Sequence, residues 1–341
     1  MRIQTRCVIS ERNMNEIPFT LEEFTSEDDP RRKVRVQPIN YVLFAECKEL
    51  LTRIYNLKFR PGDIVLITTP KSGTHWLIEM LWTMINNVDT EAAKKDVHWE
   101  RAPMLEINHI DIDVVKELKE KRQNGEKLMP MEDFWVDYDS LKKFEALPSP
   151  RVCFTHLPIP MLPPNMLEVC KVIYLTRNPA DVICSYHQFM HDRCHLHVDF
   201  DTFFNMFLDG TVLFTPYWSS VKEGWKIRNH PNALFLLYEE MAKDLRGCIE
   251  KISHHIQCPL SEEQIDKLQD HLSFENMKKN PAINMTPLAG TAFMKKGGNV
   301  VRKGKIGDSK TTLSEEQNKR LKDWCEANRE ECDIKFPGSD F

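Results

Sequence analysis

The chain has 341 residues, enough for one large domain or two modest ones at roughly 150 residues each. Hydrophobic residues make up 41%, charged residues 28% and aromatics 9%, which excludes a disordered or fibrous protein. Lys plus Arg number 46 against 51 Asp plus Glu, a net charge of −5, so no general attraction to nucleic acid is expected.

The first residues, MRIQTRCVISERNMNEI, carry charge throughout and lack the apolar core of a secretory signal. Residues 1–35 turn from acidic to basic (EEFTSEDDPRRK) and read as a surface arm without chemistry, leaving a single domain over 36–341. No later stretch approaches the apolar span of about 18 residues that a membrane helix needs. The expectation is a soluble, cytoplasmic protein without a membrane span. Its ten cysteines are scattered with no C-x-x-C pair, which favours reduced thiols over bridges and gives no spacing for a zinc cluster.

Four short apolar runs have the length and side chains of buried strands: Ile64 to Thr68, Arg151 to Thr155, Lys171 to Thr176 and Ala233 to Tyr238. After the first, Trp76, Leu77, Met80, Leu81 and Met84 recur at helical spacing. After the third, Asn178-Pro179 supplies an N-cap and a first-turn proline for ADVICSYHQF. After the fourth, Glu239 to Leu245 is helix-like. Strand followed by helix, repeated, predicts an α/β fold: a central, mainly parallel sheet with helices on both faces. The long charged stretch 116–150 separates two strands and reads equally as a cap insertion over a site or as a solvated surface insertion.

Ligands of such sheets bind at the carboxyl ends of the strands. There the first strand runs into Thr69-Pro70-Lys71-Ser72-Gly73-Thr74 and then a helix, so backbone N–H groups and a lysine converge as they do on an anion. The lysine precedes the glycine, unlike the G-x-x-x-x-G-K loop, and a Ser-Gly turn before an amphipathic helix explains this segment equally well. A second turn places Arg177 at a strand end, with Ser185 about two helical turns on; arginine there suits a phosphate, although a salt bridge is the common alternative. Of only 12 glycines, Gly290, Gly297, Gly298, Gly304 and Gly307 fall within 290–307, beside Lys295, Lys296, Arg302, Lys303, Lys305 and Lys310. A basic glycine-rich loop in an acidic protein favours phosphate over a merely flexible loop. His156, after the second strand, sits where a general base would sit, although any one of 12 histidines is more often structural.

Together these segments resemble the cytosolic sulfotransferase family over roughly residues 40 to 315. The resemblance rests on Thr69 to Thr74 with Trp76, Thr155-His156-Leu157-Pro158, Tyr174 to Pro179 through Ser185, and Leu237-Tyr238-Glu239-Glu240-Met241. It continues through Ser273-Phe274 with Met277 to Pro281, and Arg302-Lys303-Gly304 followed by Gly307-Asp308. The insertion and Pro163 to Leu167 resemble insect members, including a retinol dehydratase. The resemblance implies a P-loop-like fold that binds 3′-phosphoadenosine 5′-phosphosulfate (PAPS), leaves 3′,5′-adenosine bisphosphate, and sulfates a small hydrophobic phenol, sterol or retinoid-type alcohol without a metal.

It also implies roles. Lys71, with Ser72, Gly73, Thr74 and His75, would hold the 5′-phosphosulfate, and Lys71 would act in catalysis with His156 as base. Trp76, Phe274 and Tyr238 would meet the adenine. Arg177, Ser185, Arg302, Lys303 and Gly304 would bind the 3′-phosphate. Phe44, Met104 and Phe154 would face the acceptor. Phe154, His75 and Ser309 stand where the family has lysine, threonine and tryptophan, and the dimer signature is poorly kept in Lys310 to Lys319, which points to a monomer or weak homodimer. Two rivals follow from the residues: an ATP-dependent small-molecule kinase, disfavoured by the missing P-loop, and a catalytically weakened binding protein, kept alive by Phe154 and His75. A dehydratase acting through a transient sulfate ester is a further variant.

Overall fold

The structure, a computed structural model, describes residues 6–7, 17–29, 31–45, 47–110, 112–193, 196–284, 286–293, 301, 304, 306–330 and 332–339. Its centre is a parallel sheet of β5 (Ile64–Thr68), β6 (Val152–Thr155), β7 (Lys171–Thr176) and β8 (Ala233–Leu237) in the order β6-β5-β7-β8. Every residue of β5 and β6 is buried, because helices cover both faces and leave no polar side for alternation. The register pairs Ile64 with Val152 on one side and with Lys171 on the other. The chain leaves β5 for β6 on one flank and then crosses to β7 on the opposite flank. The crevice between β5 and β7 is therefore the switch point, and the turns after those two strands form its walls.

A second sheet is antiparallel, with β1 (Arg6–Cys7), β2 (Thr20–Phe24), β3 (Lys33–Gln37) and β4 (Tyr41–Phe44) in sequence order. It straddles residue 35, and Phe24, Val34 and Val36 are buried in it. Val42 joins it to the main body by exchanging backbone hydrogen bonds with Phe214 and Thr215. The two expected strands with inexact ends are instructive. Ladder pairing begins at Val152, while the Arg151 carbonyl accepts from Ile64 N–H and its guanidinium binds Asp63. Tyr238 already opens the helix Tyr238–Lys243.

The charged stretch 116–150 is helical. The helices Ile112–Gln123, Pro130–Asp137 and Ser140–Ala146 follow one another, and the first begins before residue 116. Leu118, Trp135, Val136 and Tyr138 form a small core of their own with Trp99, Leu288 and Phe293. The thiols of Cys47, Cys153, Cys170, Cys184, Cys248, Cys258, Cys325 and Cys332 are free. Among the described residues no helix is long and apolar enough to cross a membrane.

Candidate active site

The turn after β5 is shaped by two backbone positions. Lys71 has φ +65° and Gly73 has φ +99°, the left-handed region that favours glycine. A Cβ on Gly73 would lie 2.8 Å from the Tyr238 ring, so glycine is also needed for close approach. Hydroxyls lace the turn to the neighbouring strand. Thr69 Oγ1 lies 2.5 Å from Ser72 Oγ and 3.0 Å from Thr176 Oγ1, which in turn lies 3.1 Å from the Tyr217 hydroxyl. The helix Thr74–Ile85 then starts with its first-turn N–H groups directed back at the turn. The Lys71 ammonium rests 4.4 Å above the ring of Phe189 on the facing helix Pro179–Arg193.

His156 stands at the carboxyl end of β6. Its Nδ1 is 2.9 Å from both the carbonyl oxygen and the hydroxyl of Thr68; the carbonyl only accepts, which favours the tautomer with the proton on Nδ1 and the lone pair on Nε2. Burial, with the nearby Lys71 charge adding to it, pushes the imidazole down to about 4, so the ring is neutral at pH 7. The backbone is held as firmly as the ring. His156 N–H donates to Glu106 Oε1 at 2.6 Å, and the Tyr41 hydroxyl donates to the His156 carbonyl at 2.6 Å. Phe214 packs edge-on against the imidazole at 5.1 Å.

Across the switch point, the Arg177 guanidinium lies 4.4 Å over the Tyr238 ring and donates to Asp181 Oδ2 at 3.0 Å. Its Nη1 reaches the Lys71 carbonyl at 3.4 Å, so the two expected anion turns do meet. Asn178 N–H donates to Glu239 Oε1, tying this turn to the helix after β8. Ser185 is half-buried on the helix Pro179–Arg193.

The aromatic side is built from Trp76, Tyr238 and Phe274. Trp76 donates its indole N–H to the Leu272 carbonyl at 2.9 Å and meets Tyr238 edge-on at 5.9 Å. Behind it the buried Glu79 accepts from Arg101, His271 and Asn280. Gly304 lies on Phe274, where a Cβ would come 2.3 Å from the ring. Arg302 and Lys303 lie outside the described residues.

Where the family has lysine, Phe154 is buried in β6, bridged to Met104 and 6.2 Å from the His156 ring. His75 stands edge-on to the buried His98 at 4.3 Å, and His98 in turn faces Phe154 at 6.2 Å. Phe44 is buried at the end of β4 with the Arg31 guanidinium 4.9 Å from its ring centre. Tyr41, Glu106, Asp181 and Phe214 were not anticipated as site residues.

A parallel sheet with a cationic turn at its switch point and a neutral imidazole beside it is an arrangement that suits group transfer from an anionic donor. The match to the sulfotransferase domain spans residues 61–333. Sulfotransferase 1E1 of Bos taurus is 32% identical over 280 residues, covering 80% of this chain and 86% of that protein. Sulfotransferase 1B1 of Canis lupus familiaris is 34% identical over 287 residues, with 83% and 88% covered. The solved structure of retinol dehydratase in complex with retinol and PAP superposes with a TM-score of 0.83 at 31% identity, covering 94% of this chain and 99% of the other. The chain belongs to the sulfotransferase family. It is a sulfotransferase, an enzyme that transfers a sulfuryl group from PAPS to the hydroxyl of a small lipophilic acceptor.

Proposed function

We propose that His156 is the general base of this transfer and that the turns after β5 and β7 hold the two phosphorylated ends of the donor. The observation that carries the proposal is the bond from His156 Nδ1 to the Thr68 carbonyl, which presents a neutral Nε2 lone pair beside the Lys71 turn. The residues suit a doubly phosphorylated adenosine. Gly73 keeps the turn free of a side chain against Tyr238, Trp76 and Phe274 offer ring faces for the base, and Arg177 offers a pre-oriented fork for the second phosphate. When bound, the donor supplies the sulfuryl group and a phosphate leaving group. Nε2 accepts the proton of the attacking hydroxyl, Lys71 offsets negative charge at the leaving side, and the hydroxyl network around Thr69 and Ser72 keeps the turn rigid.

For the acceptor we propose a retinoid- or steroid-sized alcohol. Phe154, Met104 and Phe214 line the approach to His156 with apolar surface, and the helical segment 116–150 serves as the cap. The likeness to retinol dehydratase, solved with retinol and with androsterone, supports an acceptor of this kind. It also favours a second outcome, elimination of the sulfate ester to an alkene, which mass spectrometry of the product distinguishes from simple sulfation. We further propose a cytoplasmic protein with one catalytic domain, acting as a monomer or weak homodimer. The deciding test of the nucleotide reading is thermal. At 100 Kd, 3′,5′-adenosine bisphosphate stabilises the fold by about 2.7 kcal/mol, while ATP with magnesium leaves the melting temperature unchanged. Equal shifts with both ligands would refute the assignment of the two phosphate turns.

A further inference from the structure

The glycine-rich segment meets the site at two described points. Gly304 lies on the Phe274 ring, and the backbone N–H groups of Gly307 and Ser309 donate to Asp181 Oδ2 and Oδ1 at 2.8 and 3.0 Å. Asp181 Oδ2 also accepts from Arg177 Nη2 at 3.0 Å. This carboxylate is 2% exposed and sits in the first turn of the helix Pro179–Arg193. An acidic residue there usually complements the helix dipole, a role that any exposed carboxylate would fill. Asp181 instead directs both oxygens at another part of the chain. A carboxylate beside an anion site also carries a repulsive cost, so its presence calls for a compensating job.

We infer that Asp181 is a positioning residue for nucleotide recognition: it orients the Arg177 guanidinium and pins residues 307–309 against the start of the Pro179–Arg193 helix. The guanidinium has its donors in a rigid fork, and Asp181 occupies one edge while Tyr238 covers one face. Asp181 thereby sets the plane and direction of the guanidinium before any ligand arrives, which removes part of the ordering cost of binding. With Gly304 seated on Phe274 and 307–309 seated on Asp181, the segment is anchored at the adenine platform and at the arginine together. The inference rests on the proposal that Arg177 meets the 3′-phosphate.

The test compares 3′,5′-adenosine bisphosphate with adenosine 5′-monophosphate by titration calorimetry on the full chain, and measures hydrogen exchange of the amides at 307 and 309. Asp181→Asn is expected to weaken bisphosphate binding about tenfold or more and monophosphate binding by less than about threefold. Amide protection at 307 and 309 should fall in the same variant. An equal loss for both nucleotides, or unchanged protection, overturns the inference, because a merely structural carboxylate would not alter the selectivity for the 3′-phosphate. Arg177→Ala separates the two layers. If that variant keeps its preference for the bisphosphate, the arginine assignment fails, and the exchange data alone decide whether Asp181 pins the segment. Should Asp181→Asn not fold, Asp181→Glu keeps the charge but displaces it by one methylene, and the same selectivity ratio and protection must fall, to a smaller extent.

Discussion

Glu106 lies 2.6 Å from the backbone nitrogen of His156 through Oε1 and 2.7 Å from Thr155 Oγ1 through Oε2, with only 1% of the residue exposed. Thr155 Oγ1 already accepts from Leu157 N–H, so its own proton is directed at the carboxylate. The ionised form of Glu106 satisfies both donors. A protonated Glu106 would need an acceptor of its own and would displace one of them.

Burial pushes Glu106 up to about 7, against the pull of these hydrogen bonds. The titratable groups around it are Tyr41 of β4 and Cys153 of β6, both held neutral by burial, and His156, neutral above about 4. A carboxylate raised in this way is ionised above about 7 and loses its charge as the pH falls through that value. We expect kcat to rise with pH through about 7 in the wild type. Glu106→Gln should remove that limb and lower the plateau about fivefold to tenfold, the scale of replacing a charged acceptor by a neutral one. A pH–rate profile checks this, and an unchanged limb near 7 would exclude Glu106 as its origin.

His156 and the nucleotide turns should separate cleanly in mutant kinetics. The imidazole bonds Thr68, a strand residue that precedes the Lys71 turn, and packs on Phe214. His156→Ala is expected to lower kcat by about 10²–10⁴ while leaving the Kd for 3′,5′-adenosine bisphosphate unchanged. Turnover within twofold of wild type would remove the histidine from the mechanism.

Gly304 gives a sharper steric test. A Cβ there would lie 2.3 Å from Phe274 Cδ2, and the residue has φ +62°, so alanine is strained on both counts. Gly304→Ala should push the segment off the ring and weaken bisphosphate binding by about 1–3 kcal/mol, the usual cost of overpacking. Calorimetry reads this directly. Wild-type affinity would mean that the contact with Phe274 does not support the nucleotide.

What the sequence disclosed follows the range of the interactions. The strand runs were legible because strands buried on both faces must be apolar throughout, as β5 and β6 are. Lys71, Arg177 and His156 stood out as candidates because they lie within a few residues of strand ends, where topology puts ligands. Glu106 and Asp181 act across 50 and up to 128 positions on backbone N–H groups, a pairing that no local pattern announces. The same applies to Tyr41, whose partner is the His156 carbonyl 115 positions away. The helices of 116–150 were hidden for a different reason. Leu118, Trp135 and Val136 meet a small separate core while Leu141 and Phe144 of the last helix join the main one, so each helix contributes few apolar residues and charge dominates the composition.

Asp63 and Arg151 form the buried ion pair at the amino ends of β5 and β6, opposite the site. Asp63 accepts from Arg151 Nε at 2.9 Å and Nη2 at 2.5 Å, and the Asp63 Oδ2 also accepts from Arg60 N–H. Arg151 is 1% exposed, and its guanidinium lies 4.1 Å from the centre of the Phe144 ring. Removing one partner strands a buried charge, which costs about 3–5 kcal/mol, whereas replacing both by apolar groups of similar volume is close to neutral. Asp63→Ala should therefore lower the melting temperature by roughly 4–7 °C, at about 1.4 °C per kcal/mol for a chain of 341 residues. Asp63→Leu with Arg151→Met should recover most of that loss. Because the pair lies at the far end of the strands, the folded fraction of both variants should bind 3′,5′-adenosine bisphosphate with wild-type affinity. A loss of affinity in the recovered double variant would show that the strand bases and the nucleotide turns are coupled through the sheet.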